Sequence, residues 1–318
     1  MQVWIIHQHA GAPDQPGHTR HWGLARQLIA RGRRVVIIAG DFNNSDRSTR
    51  RLAPGERSRY EEIQGVPYLW LASRGYRGNG WQRMQGMVEH AARMFAGSAL
   101  RDLPAPDVIV GSSPSPLAAF AAERLAARRG VPFVFEVRDL YPLTLMELGN
   151  MSARNPLVWA LRRLEMHLCR SAAAVISVLP KAGPHLVAAG AAEEAVFHVP
   201  NGIDREQIPA YAPPPRELPF TVMYAGNHGV SNDLETLLHA SVRRQNQGWG
   251  SRIRFRLLGD GPRKGALIDL AVRLKTSLVD FLPPVPRAEV QPLLAEAGAF
   301  VALARDSRLY EHGISFNK

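Results

Sequence analysis

Short apolar runs alternate with amphipathic segments along the whole chain, and this alternation narrows the fold more than any other feature. Val3–His7 reads as a buried strand. A polar Gly/Pro loop follows to Gly17, and Arg20–Arg31 then carries Leu24, Leu28 and Ile29 on one helical face. Gly32 stops that helix, and Arg34–Ala39 begins the next strand. A strand, a helix and a second strand at this spacing form a crossover unit, which pairs its strands in parallel. Further strands are expected at Val66–Leu71, Asp107–Gly111, Phe133–Val137, Ala174–Val178 and Val196–Val199. Helices are expected at Trp81–Ala99, Leu117–Arg129, Pro156–Arg170 and Lys181–Gly190. The order implies an open, doubly wound sheet.

Five prolines, at 209, 213, 214, 215 and 219, interrupt the series and read as a stiff linker. The alternation then restarts. Strands are expected at Thr221–Ala225, Arg252–Leu258, Ser277–Leu282 and Phe300–Ala304, with helices at Asp233–Arg244, Arg263–Leu274 and Arg287–Ala297. A chain of 318 residues accommodates two domains of ordinary size. The expected organisation is α/β throughout: an N-terminal Rossmann-like domain over 1–205, a Pro-rich linker over 206–219, and a partial C-terminal domain over 220–318. A doubly wound domain ordinarily has five or six strands, and only four follow the linker. The expectation is therefore a second domain that continues past Lys318.

Composition excludes several classes. No run approaches the ~18 consecutive apolar residues of a membrane span. The first residues, Met1-Gln-Val-Trp-Ile-Ile, lack the basic start and the length of a secretory signal. Cys169 is the sole cysteine, so no intrachain disulfide forms and a reducing, cytoplasmic setting fits. The net charge of +11 suits phosphorylated substrates or anionic lipid, or reflects an arginine-rich solvated surface. Basic and aromatic residues do not interleave as they do in nucleic-acid binders, so no nucleic-acid partner is expected. The histidines are scattered, with no H-E-x-x-H and no paired cysteines, so neither a metal nor another cofactor is expected.

Several strand ends deliver chemistry-bearing residues. Pro16-Gly-His-Thr-Arg20 opens a helix with a glycine that lets backbone N–H groups approach an anion; a plain turn reads equally well. Phe135-Glu-Val-Arg-Asp-Leu-Tyr-Pro142 places charges at the carboxyl edge of a strand, where ligands of such sheets bind. Arg138 could pair with phosphate and Asp139 could orient a sugar hydroxyl, or the two could pair with each other. Met223-Tyr-Ala-Gly-Asn-His-Gly229 and Leu257-Leu-Gly-Asp-Gly-Pro-Arg-Lys264 form two more glycine-rich strand-to-helix junctions. Arg263 and Lys264 sit at a helix start, where cations oppose the helix dipole unless an anion lies between them. Gly313-Ile-Ser-Phe-Asn-Lys318 brings a flexible glycine, a hydroxyl, an amide and a cation into six residues. The segment 80–101 carries an apolar stripe at 81, 84, 87, 88, 91, 94 and 95 among arginines. It reads either as a helix lying on an anionic membrane or as ordinary core.

Taken in order, these motifs resemble a family-4 glycosyltransferase of the GT-B fold. They are His-Gln-His…Pro-Gly-x-x-Arg, Ser112-Ser-Pro, Glu-x-Arg-Asp-Leu-Tyr-Pro, Val-Pro-Asn-Gly-Ile-Asp, Tyr-Ala-Gly-Asn-x-Gly, Leu-Gly-Asp-Gly-Pro and Gly-Ile-Ser-x-Asn-Lys. The similarity covers essentially the whole chain and is greatest to the fucosamine-transferase-like enzymes of O-antigen and capsule synthesis. It implies two Rossmann-like domains facing a cleft and metal-independent transfer with retained anomeric configuration. The donor would be a nucleoside-diphosphate sugar, UDP-sugar favoured. The acceptor would be polyprenyl-diphosphate-linked, at the inner membrane face. Gly17 and Arg20 would form the acceptor and phosphate loop, and Arg138, Asp139 and Glu311 the catalytic set. Gly226, Asn227, Arg263, Lys264, Gly313, Ser315, Asn317 and Lys318 would hold the donor. Family members place a second Glu just past the position of Lys318. The alternatives are a sugar-nucleotide epimerase of the same fold and a truncated, non-catalytic product.

Overall fold

The computed structural model describes residues 1–15, 19–43, 50–75, 81–203, 218–285 and 287–314. The chain divides into two compact units. One is Met1–Gly202 with a stretch that begins at Glu311; the other is Ile203–Tyr310.

The first unit is built on an eight-stranded sheet in the order β3-β4-β2-β1-β5-β6-β7-β8. Its strands are β1 (Gln2–Ile6), β2 (Arg34–Gly40), β3 (Ser58–Ile63), β4 (Val66–Leu71), β5 (Val108–Ser112), β6 (Phe133–Val137), β7 (Ala174–Ser177) and β8 (Val196–His198). All pairings are parallel except β3 with β4, an antiparallel edge hairpin. Sequence periodicity does not find β3, because Arg59, Glu61 and Glu62 break its apolar pattern. An edge strand with a solvated face tolerates such charges, and they discourage pairing with another chain. The connecting helices are α1 (Arg20–Ala30), α2 (Trp81–Ala96), α3 (Pro116–Arg129), α4 (Leu143–Glu147), α5 (Pro156–Ser171) and α6 (Gly183–Ala188).

The pleat sorts the core. Val3, Ile5, Val35, Ile37, Tyr68 and Trp70 point to one face and bury Trp22 and Ala25 of α1. Trp4, Ile6, Val36 and Ile38 alternate with them and are also buried, as expected of a sheet covered on both sides. Local chemistry fixes the helix ends. Asn155 caps α5 by accepting from Leu157 N at 2.9 Å, with Pro156 in the first turn. Gly130 ends α3 in the left-handed conformation. The stripe on α2 is largely core: Met87, Ala91 and Met94 are buried and α2 packs on α3. The interior thus takes up part of the apolar face that the sequence offered to a membrane, while Met84 and Phe95 are half-buried and Val88 is exposed.

The second unit holds a four-stranded parallel sheet, β11-β10-β9-β12. Its strands are β9 (Phe220–Ala225), β10 (Ile253–Leu258), β11 (Val279–Leu282) and β12 (Ala299–Phe300). The helices are α7 (Leu234–Asn246), α8 (Lys264–Arg273) and α9 (Arg287–Ala295). Leu234, Leu237 and Leu238 of α7 and Leu267 and Ala271 of α8 pack on Tyr224, Phe255 and Leu257. The linker prolines at 209, 213, 214 and 215 lie outside the described residues.

In each sheet the strand order reverses beside the first strand, at β1/β5 and at β9/β12. The crevice outside the carboxyl ends of strands at such a reversal is where open α/β sheets bind ligands. Both sets of glycine-rich and charged motifs emerge there.

Candidate functional site

In the first unit the carboxyl ends of β1, β5 and β6 converge on Glu136. Its carboxylate accepts from Arg20 Nε at 2.8 Å, His21 Nε2 at 2.6 Å and Ser112 Oγ at 2.5 Å, and all four side chains are buried. Burial works against the charge on Glu136, but His21, Arg20 and Ser112 together outweigh it. They hold its pKa well below the usual carboxylate range. Burial also pushes His21 down, more than Glu136 pulls it up. His21 is therefore a neutral imidazole donating through Nε2, and His7 stacks on it with ring centroids 4.5 Å apart.

Arg20, assigned to the phosphate loop, spends its guanidinium inside the protein. Besides Glu136 it donates to Val199 O at 2.8 Å, Pro200 O at 2.7 Å and Asn201 Oδ1 at 3.3 Å. It ties the start of α1 to the end of β6 and to the Val-Pro-Asn-Gly segment after β8. Gly17, named with it, lies outside the described residues.

Arg138 is half-buried and donates to His7 Nε2 at 3.4 Å. Arginine only donates, so His7 must carry its proton on Nδ1. Ser113 Oγ accepts from the backbone N–H of Arg138 at 2.9 Å and of Asp139 at 3.2 Å, fixing the turn after β6. The Asp139 side chain is exposed. Arg138 and Asp139 form no ion pair among the described bonds. Arg138 instead lies with His7, His9, Arg83 and His90 in a second polar layer. Burial first, then the neighbouring Arg83, His90 and Arg138, lowers His9 to about 3. Burial, then Arg93, lowers His90 to about 4. These imidazoles stay neutral, so the arginines supply the positive charge of this crevice.

Sequence reasoning set Arg138, Asp139 and Glu311 as the catalytic set and passed over Glu136 and His21. One signal was available. Side chains of a strand alternate, so Glu136 and Arg138 share a face, and that face meets the helix start carrying Arg20 and His21.

In the second unit the two glycine-rich loops interlock. His228 N donates to Asp260 O at 2.9 Å and Arg263 N to His228 O at 3.0 Å. Tyr224 Oη donates to Asn227 O at 2.7 Å. Gly259 has φ +132°, and a Cβ there would collide with the Gly226 carbonyl. No larger residue fits while the loops stay this close. Gly226 and Asn227, both assigned to the donor, lie in this junction.

The two cations at the start of α8 have separate partners. Lys264 Nζ donates to Gly259 O at 2.7 Å and Leu282 O at 2.9 Å, joining the ends of β10 and β11. Arg263 forms an exposed ion pair with Glu235. An open, mainly apolar pocket of about 490 Å³ lies beside this tie, lined by Leu258, Leu282, Pro283, Val285, Pro292 and Leu293 with Glu289 as its one charged residue. Sequence reading did not single it out, since its wall comes from three separate elements.

Glu311 is exposed, in the short turn of 3-10 helix Arg308–His312. Its neighbours His312 and Gly313 belong to the first unit. His312 O accepts from Lys181 N at 3.0 Å, and Gly313, at φ +96°, lies against Pro180. Ser315, Asn317 and Lys318, expected to cradle the donor, lie outside the described residues. Among the described residues no helix is long and apolar enough to cross a membrane.

A profile of the glycosyl transferase 4-like domain matches residues 17–202. No curated protein matches the chain. Solved structures of the same architecture include the lipopolysaccharide outer core galactosyltransferase WaaB in its apo form, at 11% identity. That comparison covers 96% of this chain and 74% of WaaB, with a TM-score of 0.55. Anabaena HepE in complex with UDP-glucose matches at 16% identity over 96% and 74% of the two chains, with a TM-score of 0.58. Sucrose-phosphate synthase from Thermosynechococcus elongatus matches at 14% identity over 94% and 74%, with a TM-score of 0.64. At these identities the likeness is one of fold.

Proposed function

The chain belongs to the glycosyl transferase 4-like family and is a glycosyltransferase of GT-B fold, and from that premise we propose that it moves a sugar from a nucleoside diphosphate to a lipid-linked acceptor in envelope polysaccharide synthesis, with retained anomeric configuration. The observation that carries the donor half is the second unit's pairing of an interlocked glycine junction with an apolar pocket. The Leu258–Val285 pocket suits the flat face of a nucleobase. The glycine loops bring backbone close to where a diphosphate would lie. HepE, of the same fold, binds UDP-glucose.

Each cation has a distinct part in this reading. Lys264 is a positioning residue: by holding Gly259 O and Leu282 O it keeps the pocket wall and the glycine loop in register. Arg263 can exchange partners. Its pair with Glu235 is about half exposed on both sides, and such pairs contribute at most about 1 kcal/mol. A departing diphosphate, which carries two negative charges in the donor and gains a third as the bond to the sugar breaks, attracts the guanidinium more strongly and is stabilised by it. In the first unit, Arg138 beside neutral His7 offers a fixed positive charge to an acceptor phosphate, while Arg20 and Glu136 hold the crevice in shape.

The test fills the pocket. Val285→Trp should raise the KM for UDP-sugar at least tenfold with little change in kcat, since it removes binding made equally in ground and transition states. An unchanged KM would sink the assignment of the donor pocket. Conversion of UDP-sugar to its epimer without acceptor would replace transfer with epimerisation.

A further inference from the structure

The connection between β7 and α6 grips the segment that begins at Glu311, and every contact of this grip lies within the first unit. Lys181 N donates to His312 O at 3.0 Å, and His312 Nδ1 donates back to Lys181 O at 3.5 Å. A carbonyl only accepts, so this nitrogen carries a ring proton. The His312 ring meets that of His185 edge to face, with centroids 5.3 Å apart. His185 is fixed in turn, because its Nε2 donates to Glu165 Oε1 at 3.1 Å and Glu165 on α5 is buried. Gly313 follows at φ +96°, where a Cβ would come within 2.6 Å of the Pro180 ring. Only glycine suits a left-handed backbone at so close an approach.

His312 separates Glu311 from Gly313, the first expected in the catalytic set and the second at the donor. We propose that Lys181 and His185 are positioning residues for sugar transfer: by gripping His312 they set where the Glu311 carboxylate and the Gly313 backbone stand toward the donor. Apolar burial does not hold this segment. Glu311 and Ile314 are exposed, and His312 and Gly313 are half-buried. Ordering a chain costs backbone entropy, which buried apolar side chains ordinarily offset. Here hydrogen bonds and a ring contact fix the segment instead, and their directionality fixes its geometry. Transfer depends on geometry at this scale, since a misplacement of about 1 Å can cost about a hundredfold in rate. The bond from His185 to Glu165 acts one step further back. It sets the orientation of the imidazole and so the surface that His312 meets. A role for His185 in packing α6 alone needs only the bond to Glu165. It does not need the ring contact with His312, and that difference separates the two roles. Lys181 and His312 lie 131 residues apart, so no local pattern in the sequence announces the grip.

The inference rests on the donor reading above, and its test keeps the two apart. His185→Gln retains an N–H for Glu165 but takes the ring away from His312, whereas His185→Ala removes both. In the full chain, with the UDP-sugar that it transfers, both variants should raise the donor KM about fivefold and lower kcat, while the acceptor KM stays the same. His312→Ala should do likewise, and adding His185→Gln to it should change little more. Hydrogen exchange without substrate reads the grip directly. The Lys181 amide, which donates to His312 O, should exchange about tenfold faster in His185→Gln. In a protein that transfers, an unchanged donor KM, exchange at the wild-type rate, or a loss that falls on the acceptor KM would each overturn the positioning role and leave the donor reading standing. Faster exchange in a protein that neither binds nor turns over any UDP-sugar would overturn the donor reading, and the positioning role with it.

Discussion

His90 shows how much a single buried side chain can decide. It is fully buried, neither ring nitrogen has a hydrogen-bond partner among the described residues, and its pKa is lowered to about 4. In the unfolded chain a histidine titrates near 6.5. Between those values the unfolded state takes up a proton that the folded state refuses, so stability falls as the pH drops through this window. The slope from this one group reaches about 1.4 kcal/mol per pH unit. His90→Leu should remove that part of the pH dependence between pH 6.5 and 4, read from urea midpoints; an unchanged slope would show that the ring titrates normally. The sequence displays His90 as one of several scattered histidines. Nothing local separates it from exposed His198, because burial is a property of what packs around α2.

At the scale of elements, the Arg20–Glu136 contact binds α1, β6 and the segment after β8 together. Its partners lie 116 and 179 residues apart along the chain. A charged pair this deep contributes little net stability, yet removing one partner strands the other. Glu136→Gln should therefore cost about 3–5 kcal/mol, and Arg20→Met a similar amount. The double variant should cost clearly less than their sum in denaturation of the full chain. Strict additivity would mean that the two act independently. Most elements themselves were legible beforehand. The period of β1, β2 and β4 and the Asn155-Pro156 start of α5 are written in neighbouring residues. β3 was not legible, since an edge strand needs only one apolar side and its charges mask the alternation. The contact of Arg138 with His7 was also hidden, because the two lie 131 residues apart along the chain and only the sheet order brings them together.

At the scale of the whole molecule, the two units differ in how much core they own. The first buries both faces of eight strands, whereas the second has four strands and a two-residue edge at β12. Larger units bury a larger fraction of their surface and resist opening longer. Limited proteolysis should leave a fragment derived from residues 1–203 after residues 218–314 are degraded, and equal lifetimes would contradict this. The strand and helix periods, the break at the prolines and the ordered motifs of the family are all local, and the sequence by itself determined them: two α/β series and a sugar-transfer ancestry. Tertiary structure alone decided that Arg20 and Lys264 bond to protein groups, that Glu136 is the hub of the first crevice, and that the ring of His312 rests against His185. The reason is physical. Periodicity depends on residues a few positions apart, whereas the partner that neutralises a charge or covers a ring comes from wherever the sheet order brings the chain.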